Sequence, residues 1–281
     1  MTLLATLKDL LRNNFFKVGL SIMVFLVLLS TVGPLVAPFK PDMAVGEFNL
    51  PPSLRHILGT DPQGRDVFTI LVYSVGPSLM LGLMTGSIAT SIAFTLGLIA
   101  GFKRGLVDDL LTNLANILLV IPTLPILVML ASYTRIVTIP MMVLTIAVFT
   151  WAWTFRSLRS QVMSLREREF VNVARVSGQG DLEIAFREIA PNMLSLIAIS
   201  FINIVGFVVA YEVGLEIIGL GPPNMSTLGT MLWWISYTGG MARGEWWWVF
   251  PTIGCVVAIF LGLQFMNMGL DRVLNPRLSK T

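Results

Sequence analysis

Residues Arg166–Asn192 read REREFVNVARVSGQGDLEIAFREIAPN, the longest polar interruption in the second half of an otherwise apolar chain. Met163, Phe170, Val173, Ala174 and Val176 recur near 3–4 spacing, with Arg166, Glu167, Arg168, Glu169 and Arg175 between them. That pattern predicts an amphipathic helix over 163–176. Gly178 and Gly180 are poor helix formers and good helix stops, so the helix should end at Ser177-Gly178-Gln179-Gly180. Asp181 is placed as the N-cap of a second short helix running toward Pro191, with Glu183 in its first turn. Two capped amphipathic helices about a glycine hinge are more than a connector needs, and the stretch reads as a surface built for another protein to grip.

Its surroundings are membrane-like. The chain of 281 residues is 55% hydrophobic and 12% charged, with a mean hydropathy of +0.79; soluble domains carry about 25% charge. Continuously apolar runs near 16–37, 75–101, 110–132, 139–157, 193–213 and 249–270 are each close to the roughly 20 residues a bilayer-crossing helix needs. They do not alternate as barrel strands would. The expectation is an all-α integral membrane protein of six transmembrane helices, with a short segment 1–15 ahead of a single membrane domain, 16–281. The first run is too long for a signal-peptide core and has no small-x-small cleavage site, so it is taken as a retained helix.

Orientation follows from the basic residues. With the N-terminus inside, of the 19 basic residues only Lys40, Arg55, Arg65, Arg135 and Arg243 fall outside; Lys8, Lys103, Arg104, Arg277, Lys280 and the rest fall within, as the positive-inside rule demands. Both termini are then cytoplasmic, the polar stretch belongs to a cytoplasmic loop 158–192, and 38–74 and 214–248 lie outside. The first outer segment, with Pro41, Pro51, Pro52 and Gly59, should form tight turns. The second is broken at Gly219-Leu220-Gly221-Pro222-Pro223 and should dip partly into the protein. Trp233, Trp234 and Trp246-Trp247-Trp248 fit an interfacial aromatic belt.

Few residues suggest chemistry. Cys255 and His56 stand alone as cysteine and histidine, so a disulfide framework or an ordinary zinc site is excluded. Basic residues form no aromatic-interleaved stripe, so no nucleic-acid partner is expected. His56 reads as a turn hydrogen-bonder, and Asp61, Arg65 and Asp66 as ion-pairing groups that hold the outer loop. Asp108 and Asp109 beside Lys103 and Arg104 read as an ordinary turn. Glu212 and Glu216, four apart on one helix face, are candidate pathway-lining acids; the competing reading is an interfacial pair reaching water. No G-x-x-x-x-G-K-[ST] phosphate loop is present, so no cofactor is expected in this chain and energy must arrive from another subunit.

At this point a resemblance becomes specific. Asn172-Val173-Ala174, Gly178 and Pro191 stand at the spacing of the cytoplasmic E-A-A…G…P loop of binding-protein-dependent ABC importers, with Asn172 in place of the leading Glu and Val173 in place of the first Ala. His56-Ile57-Leu58-Gly59-Thr60-Asp61-Pro62-Gln63-Gly64-Arg65-Asp66-Val67 resembles the H-x-L-G-T-D-x-x-G-R-D-V signature of the peptide/opine/nickel permeases. Gly219-Leu220-Gly221, Pro222-Pro223, Gly229-Thr230-Met231-Leu232, Trp246-Trp247 and Asn275-Pro276-Arg277-Leu278 follow that family's later motifs in order. The chain departs from it at Glu216, where serine is usual, at Leu228, and at Tyr133-Thr134-Arg135-Ile136.

The resemblance covers roughly 15–281 and implies the C-type permease of such an importer, with a type I importer (MetI-like) fold. It also implies a sister permease, two ABC ATPase subunits carrying ATP and magnesium, and an extracytoplasmic solute-binding protein. Asn172, Ala174, Arg175, Gly178 and Pro191 would couple to an ATPase; His56, Gly59, Asp61, Gly64, Arg65 and Asp66 would form the outer-loop signature. The substrate implied is a di- or oligopeptide, with short oligosaccharides as the alternative and nickel or opines further behind. A membrane-embedded hydrolase would need a clustered nucleophile and base, which the spans lack. A scaffold or channel without an ATPase would not need the glycine-hinged loop.

Overall fold

The computed structural model describes residues 9–134, 138–222 and 224–274. Pro223, Arg135, Ile136 and the motif Asn275-Pro276-Arg277-Leu278 therefore lie outside the described residues, as do Lys8 and Lys280. The described chain is helical: α1 (Asn14–Val36), α2 (Val67–Lys103), α3 (Leu106–Val120), α4 (Thr123–Thr134), α5 (Ile139–Arg166), α6 (Glu169–Val176), α7 (Leu194–Ile217), α8 (Leu228–Thr238) and α9 (Trp246–Leu274). Five of these, α1, α2, α5, α7 and α9, are long and apolar enough to cross a membrane. The sixth expected span, 110–132, is a broken pair: α3 and α4 meet at a 74° bend. The cause is Ile121-Pro122. Proline lacks the N–H that would continue the ladder and biases its predecessor to extended backbone, and Ile121 has ψ 119°.

Other boundaries move as well. α2 starts at Val67 and α9 at Trp246, so the intervening segments are shorter than 38–74 and 214–248. The expected 163–176 helix is two pieces, because α5 runs on to Arg166 before α6 begins at Glu169. The second surface helix starts one residue early, on Gly180 as N-cap with Asp181 in the first turn. It then passes through a π-helical Ile184–Ile189 that buries Ile184, Ala185 and Ile189.

The chain divides into two compact units, one of Met1–Leu83, Val128–Met141 and Gly206–Thr281, the other of Met84–Leu127 and Met142–Val205. In the first, α1 packs on α9 through small residues: a Cβ on Gly19 would lie 2.6 Å from Met266 N, and one on Gly269 would lie 2.6 Å from Phe16 Cβ. Such close helix approach is the usual way membrane helices gain packing when no water drives them together. The Pro-rich segment of this unit folds by isolated bridges, Ala44 with Arg65 and Thr60 with Asp66, as its turn chemistry requires. In the second unit α2 meets α5 the same way. Cβ atoms at Gly97 and Gly101 would crowd Arg159 and Val162.

Candidate functional site

The polar stretch lies in the second unit and is braced from inside. Arg104, at the end of α2, donates from Nη2 to Glu167 Oε1 at 2.6 Å. The Phe102 ring lies beneath two guanidinium groups, Arg166 at 5.5 Å and Arg175 at 5.8 Å from its centroid. Asp108 is no ordinary turn residue. It is buried in the first turn of α3 and accepts from both Nε and Nη2 of Arg159 on α5, the bidentate geometry in which arginine binds carboxylates most strongly.

The helix itself ends as glycine dictates. Gly178 has φ +82°; its N–H donates to Arg175 O at 3.0 Å and that of Gln179 to Ala174 O at 3.2 Å. This is a Schellman closure with glycine in the left-handed position. A Cβ on Gly178 would touch nothing, so the glycine answers to backbone conformation rather than to crowding by a neighbour. Ala174 and Val171 face inward, while Asn172, Arg175, Gly178 and Pro191 are exposed. Of the five expected coupling residues, Ala174 is therefore an anchor within its own unit. The residues that sequence reasoning missed are apolar: Val173, Val176, Leu182 and Phe186 are exposed on either side of Gly178, Val176 at 91%. The 3–4 spacing groups Val173 and Val176 with Ala174, which alone of the three is buried. The alternative phase through Val171 and Ala174 was available as a signal.

The first unit gathers the other candidates. Glu212 and Glu216 are both 0% exposed, which overturns the reading of an interfacial pair reaching water. Ser78 Oγ donates to Glu212 Oε1 at 2.7 Å and accepts from the Leu228 N–H at 3.0 Å. Thr227 Oγ1 donates to Glu216 Oε2, and Thr227 and Thr230 form a reciprocal capping box at the start of α8. Both acids of α7 thus hold the N-terminus of α8, where free N–H groups and the helix dipole favour negative charge. Gly229 permits the contact, since a Cβ there would lie 2.8 Å from Glu216 Cβ.

Glu216 also borders a cavity of about 520 Å³ with Arg65, Asp42, Trp233, Trp234 and Trp248. Trp248 does not join the belt expected of the tryptophans. Trp248 is buried and Trp246 exposed, while Trp247 packs against Gly59. Consecutive residues at the start of α9 point about 100° apart, so three adjacent rings face different surroundings.

The outer-loop signature is a turn lock. Asp61 Oδ2 accepts from Arg65 Nε at 2.7 Å, while Asp66 turns to other partners. Its Oδ2 meets His56 Nδ1 at 2.9 Å, and its Oδ1 accepts from Thr69 N–H and Oγ1 at 2.8 Å each, capping α2. Gly59 and Gly64 take φ +66° and +73°, where glycine alone is unstrained.

Residues 93–280 match the model of a family described as binding-protein-dependent transport system inner membrane component. Residues 4–52 match one described as the N-terminal TM domain of oligopeptide transport permease C. A candidate peptide permease protein of Brucella suis biovar 1 is 30% identical over 269 residues, covering 95% of this chain and 88% of that one. The oligopeptide transport system permease protein OppC of Mycobacterium bovis is 30% identical over 270 residues, covering 95% and 91%. In fold, the chain is similar to a chain of the MetNI methionine ABC transporter in inward-facing conformations, with a TM-score of 0.58 at 16% identity over 74% of this chain and 95% of that one. With its membrane-length helices and this match over most of its length, the chain belongs to the binding-protein-dependent transport inner-membrane components: it is a multi-pass permease subunit of an ABC importer, a transport component rather than a catalyst.

Proposed function

We propose that this permease imports short peptides released to it by a solute-binding protein, and that force from the ATPases enters through residues 166–192. The observation that carries the coupling reading is the exposed apolar pair of faces about Gly178, Val173 and Val176 on one side and Leu182 and Phe186 on the other. Exposed apolar residues clustered among charges are the usual mark of a protein contact. Behind them, Arg104–Glu167 and the two arginines on Phe102 tie the surface to α2, so a push on α6 is passed to a helix of membrane length. Asn172 and Arg175 supply the polar rim, Ala174 seats the helix, and Gly178 and Pro191 set the ends of its two halves.

In this reading the domain is 16–281, with 158–192 cytoplasmic, both termini cytoplasmic, and 38–74 and 214–248 facing the binding protein. A sister permease completes the pathway, and ATP and magnesium reside on the two ATPase subunits. Peptides are favoured over oligosaccharides because the relatives at 30% identity carry peptide names. The test is co-purification of the ATPase subunits with Gly178→Asp. An aspartate at φ +82° costs about 1–2 kcal/mol in backbone conformation and places charge in the apolar patch. At least a threefold loss of ATPase recovery is expected, with the permease still folded by size exclusion; equal recovery would place the contact elsewhere.

A further inference from the structure

Two residues that border the cavity beside α8 each carry a buried polar atom with no hydrogen-bond partner among the described residues, an acceptor at Glu216 Oε1 and a donor at Trp248 Nε1. Both residues line it, together with Trp233, Trp234 and Arg65. Glu216 is wholly buried, and its other oxygen is occupied by Thr227. A buried carboxyl with one oxygen unmatched is costly unless a donor reaches it, and a cation offsets the cost of ionising it in place. Trp233 and Trp234 line the same cavity, Trp233 stacked on Tyr237 and Trp234 with the Arg65 guanidinium 5.6 Å from its ring centroid. Arg65 uses Nε and Nη2 on Asp61, and a guanidinium with five N–H groups has donors left for a carbonyl or carboxylate. The volume, about 520 Å³, is that of a small-molecule site.

We infer that this cavity binds a ligand by its primary ammonium group, held at Glu216, with its carbonyl or carboxylate end toward Arg65 and Trp248. Resting on the peptide reading above, it assigns the recognised element: the free amino end of a short peptide. A neutral sugar stacks on indoles but brings no positive charge to Glu216, so the two chemistries separate experimentally.

The assembled importer in nanodiscs is titrated with Ala-Ala, N-acetyl-Ala-Ala, 2-phenylethylamine and maltotriose, reading tryptophan emission. Ala-Ala and 2-phenylethylamine should bind saturably and N-acetyl-Ala-Ala at least tenfold more weakly. Glu216→Gln should weaken both ammonium probes at least tenfold and erase the effect of acetylation. Glu216→Asp, which keeps the charge, should recover part of the affinity. The amide keeps an oxygen for Thr227, so the variant is expected to assemble, and recovery of the complex checks this. Equal binding of free and acetylated dipeptide, unchanged affinity in Glu216→Gln, or maltotriose binding as tightly as Ala-Ala each overturns the assignment. ATP-driven uptake of labelled Ala-Ala into proteoliposomes tests the peptide reading separately. Absent uptake with Glu216-dependent 2-phenylethylamine binding sinks that reading and supports the site, while uptake with Glu216-independent binding sinks the site alone.

Discussion

At the scale of single residues, the contact between Gly229 and Glu216 shows how one missing methyl sets the packing of a cavity wall. The α8 backbone reaches the Glu216 side chain only because position 229 has no Cβ; a methyl there would come within 2.8 Å of Glu216 Cβ. Gly229→Ala should therefore destabilise the first unit by about 1–3 kcal/mol, the range for overpacking a fitted site, and lower the thermal unfolding midpoint in detergent. An unchanged midpoint would mean that α8 shifts freely. Much at this scale was legible beforehand. Gly59 follows from turn chemistry, Gly178 from helix stopping and Gly64 from the outer-loop signature, and all take positive φ. The partners of Glu212 were not, because Ser78 lies 134 residues away, and no local spacing encodes that meeting. Trp248 was misread for a related reason: sequence shows three adjacent rings, but only the helical phase of α9 separates the buried one from the exposed one.

Among elements, length and continuous apolarity located the long helices well because bilayer thickness imposes both. The ends were less legible, since Val67 begins a helix through the cap that Asp66 supplies, a contact rather than a composition. The break at Ile121-Pro122 was written in the sequence but was masked by the apolarity around it. The π-helical Ile184–Ile189 had no local signal. It precedes Pro191, which cannot donate to the ladder, and it turns Ile184, Ala185 and Ile189 inward together. The short α6 shows how weak an eight-residue pattern is: both phases of its apolar residues fit a helix, and burial of Val171 and Ala174 against their unit chose between them.

For the whole molecule, the proposed orientation can be tested by labelling from the two sides of the membrane. In a Cys255→Ser background, Leu54→Cys should react with a membrane-impermeant maleimide in intact cells, and Val176→Cys only after permeabilisation. Both positions are exposed, so the reverse pattern would invert the topology. A last consequence follows from the two ion pairs that brace the proposed transmission surface. Arg104 and Glu167 are 43% and 66% exposed, whereas Arg159 and Asp108 are 26% and 8% exposed. Ionic screening acts over about 10 Å in 0.1 M salt and about 3 Å in 1 M, and it spares buried pairs. Rising ionic strength should thus slacken the outer brace while the inner one holds. The expected result is slippage: in proteoliposomes, solute carried per ATP hydrolysed falls between 0.1 M and 1 M KCl, and Glu167→Gln is already low and insensitive to salt. A ratio that stays constant in the wild type would mean that the linkage runs through Phe102 and its two arginines alone.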